Sequence, residues 1–528
     1  MTAPRFLHTG LKGSRMALAS TRTATVEGVS AHLVTVESNV GPGLPGMHIV
    51  GLGDAAVKES RERIRTAFAN TSLPWPRTKI MVSLSPAHLP KAGSHFDLPI
   101  ALAVIGSLDS RAQTRLARTM VMGELALDGT LRRVEGILPM LLQAQREGDK
   151  AEQNPIETVV VPRANAHEAA LLNRGHIVVA DSLPQVWRWL GGTEALEPAQ
   201  ATRVQLSQGA AAPDFRDIAG QLLERQAMEV AAAGGHHVLM VGPPGSGKSM
   251  LAERLPTILP ALSVREQIET TALHSAAGVS NGRIVQHRPF VAPHPSLTKA
   301  QLLGGGAGVP LPGAVSQAHN GVLFLDEVSE IPAHVLDSLR IPLETTRVVI
   351  RRGRREVTYP AAFQLVMAAN PCQCGKEAAQ CTCTATARTK HLANVSGPLR
   401  DRLDIFIATS TNAAVVSPQG TESSAQIGQR VAEARERAAA RWLKAGLEAM
   451  VNARVSSTVI RRHFPPDEAS MALLQWKLRN NALTQRGVDR VLKLAWTLAD
   501  LDGDSQPHID HVEQAISLRR VHGMGVAA

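Results

Sequence analysis

Residues 242–249 read Gly-Pro-Pro-Gly-Ser-Gly-Lys-Ser and directly follow the apolar run Val238-Leu239-Met240-Val241. A buried strand that breaks into glycines and then into a helix, here from Met250, is the setting in which a backbone loop cradles a polyphosphate. Gly242, Gly245 and Gly247 let the main chain come close enough for N–H groups and a helix N-terminus to point at phosphate oxygens, with Pro243, Pro244 and Ser246 completing the loop. Lys248 would neutralise the β and γ phosphates, and the Ser249 hydroxyl would hold Mg²⁺. A glycine turn with an incidental lysine explains the residues less well, because the strand before and the helix after both agree with the loop.

A second apolar strand, Val322-Leu323-Phe324-Leu325, ends in Asp326-Glu327, two carboxylates at the strand end where such a sheet binds its ligand. Asp326 would order Mg²⁺ through its waters, and Glu327 would polarise the water that attacks the γ-phosphate. A third strand over 364–368 leads to Asn370, whose amide would orient that water. All four cysteines, Cys372, Cys374, Cys381 and Cys383, follow within a short stretch. Four thiolates in a C-x-C…C-x-C pattern suit a tetrahedral Zn²⁺, although C-x₂-C is the commoner spacing; unliganded thiols and local disulfides are the other readings.

The elements that must carry these groups need a large chain. The 528 residues, 44% of them apolar, suffice for two to four packed domains. A net charge of +10 suits a polyanionic partner or a merely basic soluble enzyme. With 3% aromatics and one tyrosine, a nucleic-acid surface would rest on phosphate charge more than on base stacking. The longest apolar run, 98–108, is too short to span a bilayer and the first 20 residues lack a signal-peptide core, so a cytoplasmic protein without a membrane partner is expected. Periodicity predicts an N-terminal extension over 1–22, then an α+β domain over 23–191 with strands at 31–36, 47–50, 79–84 and 158–161 and helices at 54–69, 98–107 and 166–173. A Gly/Ala/Gln/Pro-rich linker over 192–212, a P-loop domain over 213–408, a connector over 409–426 and a helical lid over 427–528 follow. Residues 347–359 predict a hairpin whose tip carries Arg351, Arg352, Arg354 and Arg355 around Gly353. Four such charges repel one another unless a polyanion lies across them; a solvated basic turn is the alternative.

The loop at 242–249, Leu325-Asp326-Glu327, Ala369-Asn370-Pro371-Cys372-Gln373-Cys374-Gly375 and Ser396-Gly397-Pro398-Leu399-Arg400-Asp401-Arg402-Leu403-Asp404 together resemble the magnesium-chelatase-like AAA+ ATPases of the ComM/YifB type. The stretches at 51–63, from Gly51 to Arg63, and 93–100, from Gly93 to Ile100, resemble that family too. The resemblance implies an α/β fold: an AAA+ P-loop domain with a parallel sheet, preceded by an α+β Lon-like (ribosomal-S5-like) domain and followed by a helical lid. It implies an ATP- and Mg²⁺-dependent ring, usually a hexamer, acting on single-stranded or branched DNA. By match to the family segments, Arg402 is the arginine finger for a neighbour's γ-phosphate, and Arg486, at the start of a lid helix, is a sensor arginine reaching the γ-phosphate from above. Arg400 stands where the family commonly has leucine, and Asp217-Ile218-Ala219-Gly220-Gln221 resembles the segment that packs on adenine. Residues 282–294 resemble the clade's helix-2 insert but depart from it at Val291 and Pro295. In a ring the arginine hairpin would line the pore.

Lys91-Ala92-Gly93-Ser94-His95 resembles the nucleophile stretch of Lon-type proteases, yet His95 occupies the serine position and Leu138 the lysine position. A serine without a base has no route to activation, so a non-proteolytic scaffold is expected. The expected function is an ATP-driven, ring-forming DNA motor, a helicase or branch-migration translocase in homologous recombination and natural transformation. The alternatives are a metal-chelatase motor subunit and an ATP-gated DNA-binding scaffold.

Overall fold

The structure is a computed structural model, and it describes residues 17–91, 93–148, 155–172, 176–200, 213–279, 284–306, 310–352, 355–376, 380–410, 422–448 and 451–520. The expectations for most of the N-terminal extension, for 201–212 of the linker, for 411–421 of the connector and for Arg354 lie outside these residues, as does the side chain of Arg355. Two compact units form, one from residues 1–205 with 271–284 and the other from 206–270 with 285–528. Residues 271–284, expected in the ATPase span, thus group with the first unit, where Ser275 Oγ accepts a hydrogen bond from the Gly136 N–H at 2.8 Å.

The first unit is built on an eight-stranded mixed sheet in the order Glu197–Pro198, Ile177–Ala180, Thr158–Pro162, Thr119–Val121, Ala17–Glu27, Ser30–Gly41, Lys79–Ser85, Gly46–Val50. Its first strand begins at Ala17, inside the stretch expected as an extension. That strand buries Thr21, Thr23 and Thr25 alongside Ala19 and Ala24. Thr21 and Thr25 offset the cost by donating to the carbonyls of Thr119 and Pro90, both at 3.0 Å. The turn into Ser30–Gly41 has two residues, with Gly28 at φ +69°, a left-handed conformation that favours glycine. Helix Ala55–Thr71 is capped by Asp54, whose carboxylate accepts from the N–H groups of Val57 at 2.9 Å and Gly93 at 3.0 Å. Helix Asp97–Gly106 is buried on every face, which suits its unbroken apolar run. Arg63 grips the buried Asp97 with two hydrogen bonds of 2.8 and 2.9 Å. The two family-like stretches of this unit therefore meet at one ion pair and one cap. Burial raises Asp97 to about 6 against the opposing pull of Arg63.

The second unit holds a five-stranded, wholly parallel sheet in the order Phe290–Val291, Val322–Leu325, Gln364–Ala369, Val238–Val241, Ile405–Ala408. The strand before the P-loop therefore lies between two later strands, at a point where the chain order reverses and a crevice opens at the C-terminal strand ends. Residues 288–290, expected in an insert, lead into the edge strand instead. Arg288 donates to the carbonyls of Pro260 at 2.6 Å and Asn320 at 2.8 Å, and Phe290 stacks on Phe324 with ring centroids 5.8 Å apart. The helices Ser424–Lys444, Ser457–His463, Glu468–Arg479, Gln485–Asp502 and Ile509–Arg519 form the lid, centred on Trp442, Phe464 and Trp496 with centroids 5.1 to 6.3 Å apart. Among the described residues no helix is long and apolar enough to cross a membrane.

Candidate nucleotide site

The parallel register delivers the loop, the acid pair and the amide to one edge. Val241 pairs with Ala369 and Leu325 with Met367, so the residues that follow all emerge at the C-terminal ends of adjacent strands. Lys248 opens helix Lys248–Ile258, and its ammonium donates to the carbonyls of Gly242 at 2.7 Å and Pro243 at 2.8 Å and to Asn370 Oδ1 at 3.3 Å. Burial pushes its pKa down while Asp326 and Glu327 pull it back up, so the cation sits where a phosphate would relieve its desolvation. Ser249 Oγ donates to Asp326 Oδ2 at 3.0 Å, a pair of hard oxygen donors of the kind Mg²⁺ takes. Asp326 Oδ1 accepts from the Glu327 N–H at 2.8 Å, and Glu327 itself is exposed with φ +48°. A glutamate in the left-handed region is strained, and such strain gathers at functional positions.

The residues fit a triphosphate with Mg²⁺. Gly245 lies at φ +78°, a left-handed conformation that favours glycine, and a Cβ there would meet nothing within 4 Å. At Gly242, by contrast, a Cβ would come to 2.0 Å from Thr409 Oγ1. Thr409 is buried, shares a 2.6 Å hydroxyl hydrogen bond with Ser246 and donates its N–H to Val241 O at 2.9 Å. It is a brace of the loop and not the first residue of a loose connector. Gln221, in the left-handed region at φ +51°, is a second brace, its Nε2 donating to Ser246 O at 2.9 Å. Gln221 ends the stretch 217–221 that resembles the adenine-packing segment, whereas Thr409 has no motif; a short polar side chain directly after an apolar strand was its signal.

Arg402 and Arg486 are not at this edge. Arg402 precedes the strand Ile405–Ala408, so it stands at the N-terminal edge of the same parallel sheet, with roughly 10 Å of strand between the two edges. Its Nη1 donates to Pro398 O at 2.6 Å, its Nη2 pairs with Glu344, and its buried Nε has no hydrogen-bond partner among the described residues. Arg486 pairs with Asp401 at 3.1 Å, and Arg490, one turn on, with the buried Asp404 at 2.9 Å. Burial opposes the charge of Asp404, but Arg490 and His236 hold it well below the usual carboxylate range. Arg486, expected to contact a γ-phosphate from above, thus stands with its lid helix on the segment that carries Arg402. A cavity of about 470 Å³ opens at this edge, lined by Arg402, Asp404, Arg435, Arg454, Arg490 and Lys493 among others. Burial, with Arg288 and Arg454 alongside, pushes Arg435 down to about 9. Arg400 follows helix position Leu399 on the same segment.

The hairpin forms from strands Arg347–Arg352 and Arg355–Pro360, with Arg352 opposite Arg355. Arg351 pairs with Glu356 and Arg352 is exposed. The four cysteine sulfurs converge: Cys372 Sγ lies 3.1 Å from Cys374 and 3.4 Å from Cys381, and Cys374 lies 3.7 Å from Cys381, with Cys383 in the same group. Four sulfurs at about 2.3 Å from a tetrahedral Zn²⁺ would stand about 3.8 Å apart, so the set fits that ion with slight expansion. In the first unit Ser94 Oγ bonds Glu124, His95 Nε2 lies 2.8 Å from Ala24 O, and Leu138 is fully buried. Burial lowers His95 to about 4. Neither His95 nor Leu138 hydrogen-bonds the Ser94 hydroxyl, which donates to the Glu124 carboxylate.

Three family descriptions match: magnesium chelatase, subunit ChlI over residues 214–416; subunit ChlI of Mg-chelatase over 36–165; and magnesium chelatase, subunit ChlI C-terminal over 421–519. An uncharacterized protein of Mycobacterium tuberculosis is 44% identical across 96% of this chain and 99% of its own length. YifB of Escherichia coli and the competence protein ComM of Haemophilus influenzae are each 37% identical across 96% of this chain and 98% of their own. The parallel sheet, its loop and acid pair, and these near-full-length matches agree, and the chain belongs to the magnesium-chelatase-like AAA+ family that includes YifB and ComM.

Proposed function

We propose that this protein is an ATP-driven DNA motor that works as a homo-oligomeric ring in the cytoplasm, a helicase or branch-migration translocase serving homologous recombination and the uptake of DNA. The observation that carries the ring is the separation of the site into two halves. Lys248, Ser249, Asp326, Glu327 and Asn370 stand at one sheet edge, and Arg402 and Arg486 at the other. Side chains at the second edge reach a γ-phosphate only if it is bound by another copy, which makes hydrolysis depend on assembly. The cation-lined cavity and the unpartnered Arg402 Nε support that reading, because crowded buried arginines are relieved by a polyanion.

In this account Lys248 binds the β and γ phosphates, Ser249 and Asp326 hold Mg²⁺, and Glu327 takes the proton of the attacking water, which Asn370 orients. Mg²⁺ supplies charge neutralisation of the phosphate oxygens. Gln221 and Thr409 keep the loop rigid. DNA as the partner is supported by the exposed hairpin arginines and by a near-full-length relative named a competence protein. The cysteine cluster holds zinc, and the first unit is a scaffold without peptidase activity. The test is the ATPase rate without DNA, with single-stranded DNA and with branched DNA, alongside displacement of a labelled strand. The proposal expects several-fold stimulation and ATP-dependent displacement. Equal rates in all three conditions with no displacement would favour the chelatase-type motor.

A further inference from the structure

The first cysteine of the cluster follows the site's amide by two residues, in Asn370-Pro371-Cys372. Pro371 has a fixed φ, so the path from amide to thiol is short and stiff. Cys372 is buried at 1% exposure, and Asn370 Oδ1 accepts from Lys248 at 3.3 Å. The same turn touches the phosphate loop from outside. Gly375, at φ +67°, lies so close to Pro244 that a Cβ there would stand 3.0 Å from its Cδ and 3.1 Å from its Cγ. Cys381 and Cys383 return to the cluster from further along the chain, just before helix Ala385–His391, which Thr384 caps by accepting from the Ala387 N–H at 3.2 Å. The turn that carries Cys374 and Gly375 is thus held on one side by Pro244 and on the other by the sulfur cluster.

We propose that zinc in this four-cysteine knuckle sets the position of the phosphate loop and of Asn370, so that zinc binding and nucleotide binding are coupled. Drawing four sulfurs around one ion ties the turn at 372–375 to Cys381 and Cys383 and removes that turn's freedom to move away from Pro244. Without the ion the turn loses that closure, and Lys248 loses a fixed acceptor in Asn370. The coupling is reciprocal, because two ligands that favour the same arrangement raise each other's affinity by one factor. The inference rests on the zinc and nucleotide readings above, and its test separates it from both.

The full chain is titrated with a chromogenic zinc chelator in the absence and presence of a non-hydrolysable ATP analogue. Nucleotide affinity is measured on zinc-loaded and zinc-stripped protein. The expected result is that saturating analogue tightens zinc by about tenfold and that zinc tightens the analogue by the same factor. Gly375→Ala keeps all four cysteines and is expected to retain zinc, bind the analogue more weakly and show a smaller coupling factor. Zinc affinity unchanged by the analogue, or wild-type nucleotide binding and coupling in Gly375→Ala, would overturn the proposal while leaving both sites standing. A chain that takes up no zinc would overturn it together with the zinc reading. A chain that binds zinc but no nucleotide would overturn it together with the ATPase reading.

Discussion

Glu327 is held in a left-handed backbone conformation at the end of a buried strand, beside the Ser249–Asp326 oxygen pair. Glu327→Gln keeps the shape and removes the proton acceptor, so it should bind ATP normally and turn over slower by about two orders of magnitude or more. Steady-state ATPase and nucleotide binding check this together, and turnover within a few-fold of wild type would assign the base elsewhere. Glu327→Gly relieves the strain at some cost in chain entropy, so it should lose turnover yet melt no lower than wild type. A melting temperature several degrees lower would show that the backbone is not strained there. Lys248→Ala should weaken nucleotide binding itself. These residues were legible in the sequence because each sits at a fixed offset from an apolar strand. The bracing roles of Thr409 and Gln221 were not legible, since a hydroxyl and an amide that brace a loop carry no spacing rule, and only the closeness of Gly242 to Thr409 reveals why that glycine is needed.

Among the elements, the hairpin and the lid carry separate expectations. Neutralising Arg351, Arg352, Arg354 and Arg355 together should weaken DNA binding and make the log-log salt slope shallower by about 0.7 to 0.9 for each phosphate that the hairpin no longer neutralises. ATPase without DNA should persist, because none of these residues is assigned to the nucleotide. Unchanged DNA affinity with reduced ATPase would move the DNA site away from the hairpin. In the lid, Trp442 is fully buried against Phe464 and Trp496, its indole N–H donates to Asn452 Oδ1 at 2.9 Å, and Arg441 stacks 4.0 Å from the Trp496 ring while gripping Asp500. Trp442→Ala should cost about 3 to 5 kcal/mol, read by denaturant unfolding; a loss under about 1 kcal/mol would mean that the lid repacks. The lid's helical character was plain from its period, but helix Ser457–His463 and the places where the helices dock were hidden. Ion pairs such as Arg490 with Asp404 link positions far apart in the chain, and no local pattern announces them. The strand Ala17–Glu27 was hidden for a related reason: its buried residues mix threonine with alanine, and the hydroxyls of Thr21 and Thr25 are satisfied by carbonyls of distant segments.

For the whole molecule, the proposed ring divides one chemical site between two copies of the chain. The sequence pointed to Arg402 and Arg486 as phosphate-sensing residues; their position at the edge away from the P-loop follows from strand order, which spacing along the chain does not encode. The direct measurement mixes two inactive proteins. Arg402→Ala keeps an intact loop but lacks the arginine it lends, and Lys248→Ala lends its arginine but cannot hold the phosphates. Each alone should hydrolyse ATP poorly. Mixed in varying ratio, they should recover ATPase activity with a maximum near equal amounts, because some junctions then join a wild-type loop to a wild-type arginine. If no ratio restores activity while size-exclusion chromatography shows that mixed assemblies form, Arg402 is a structural residue and hydrolysis is completed within one chain.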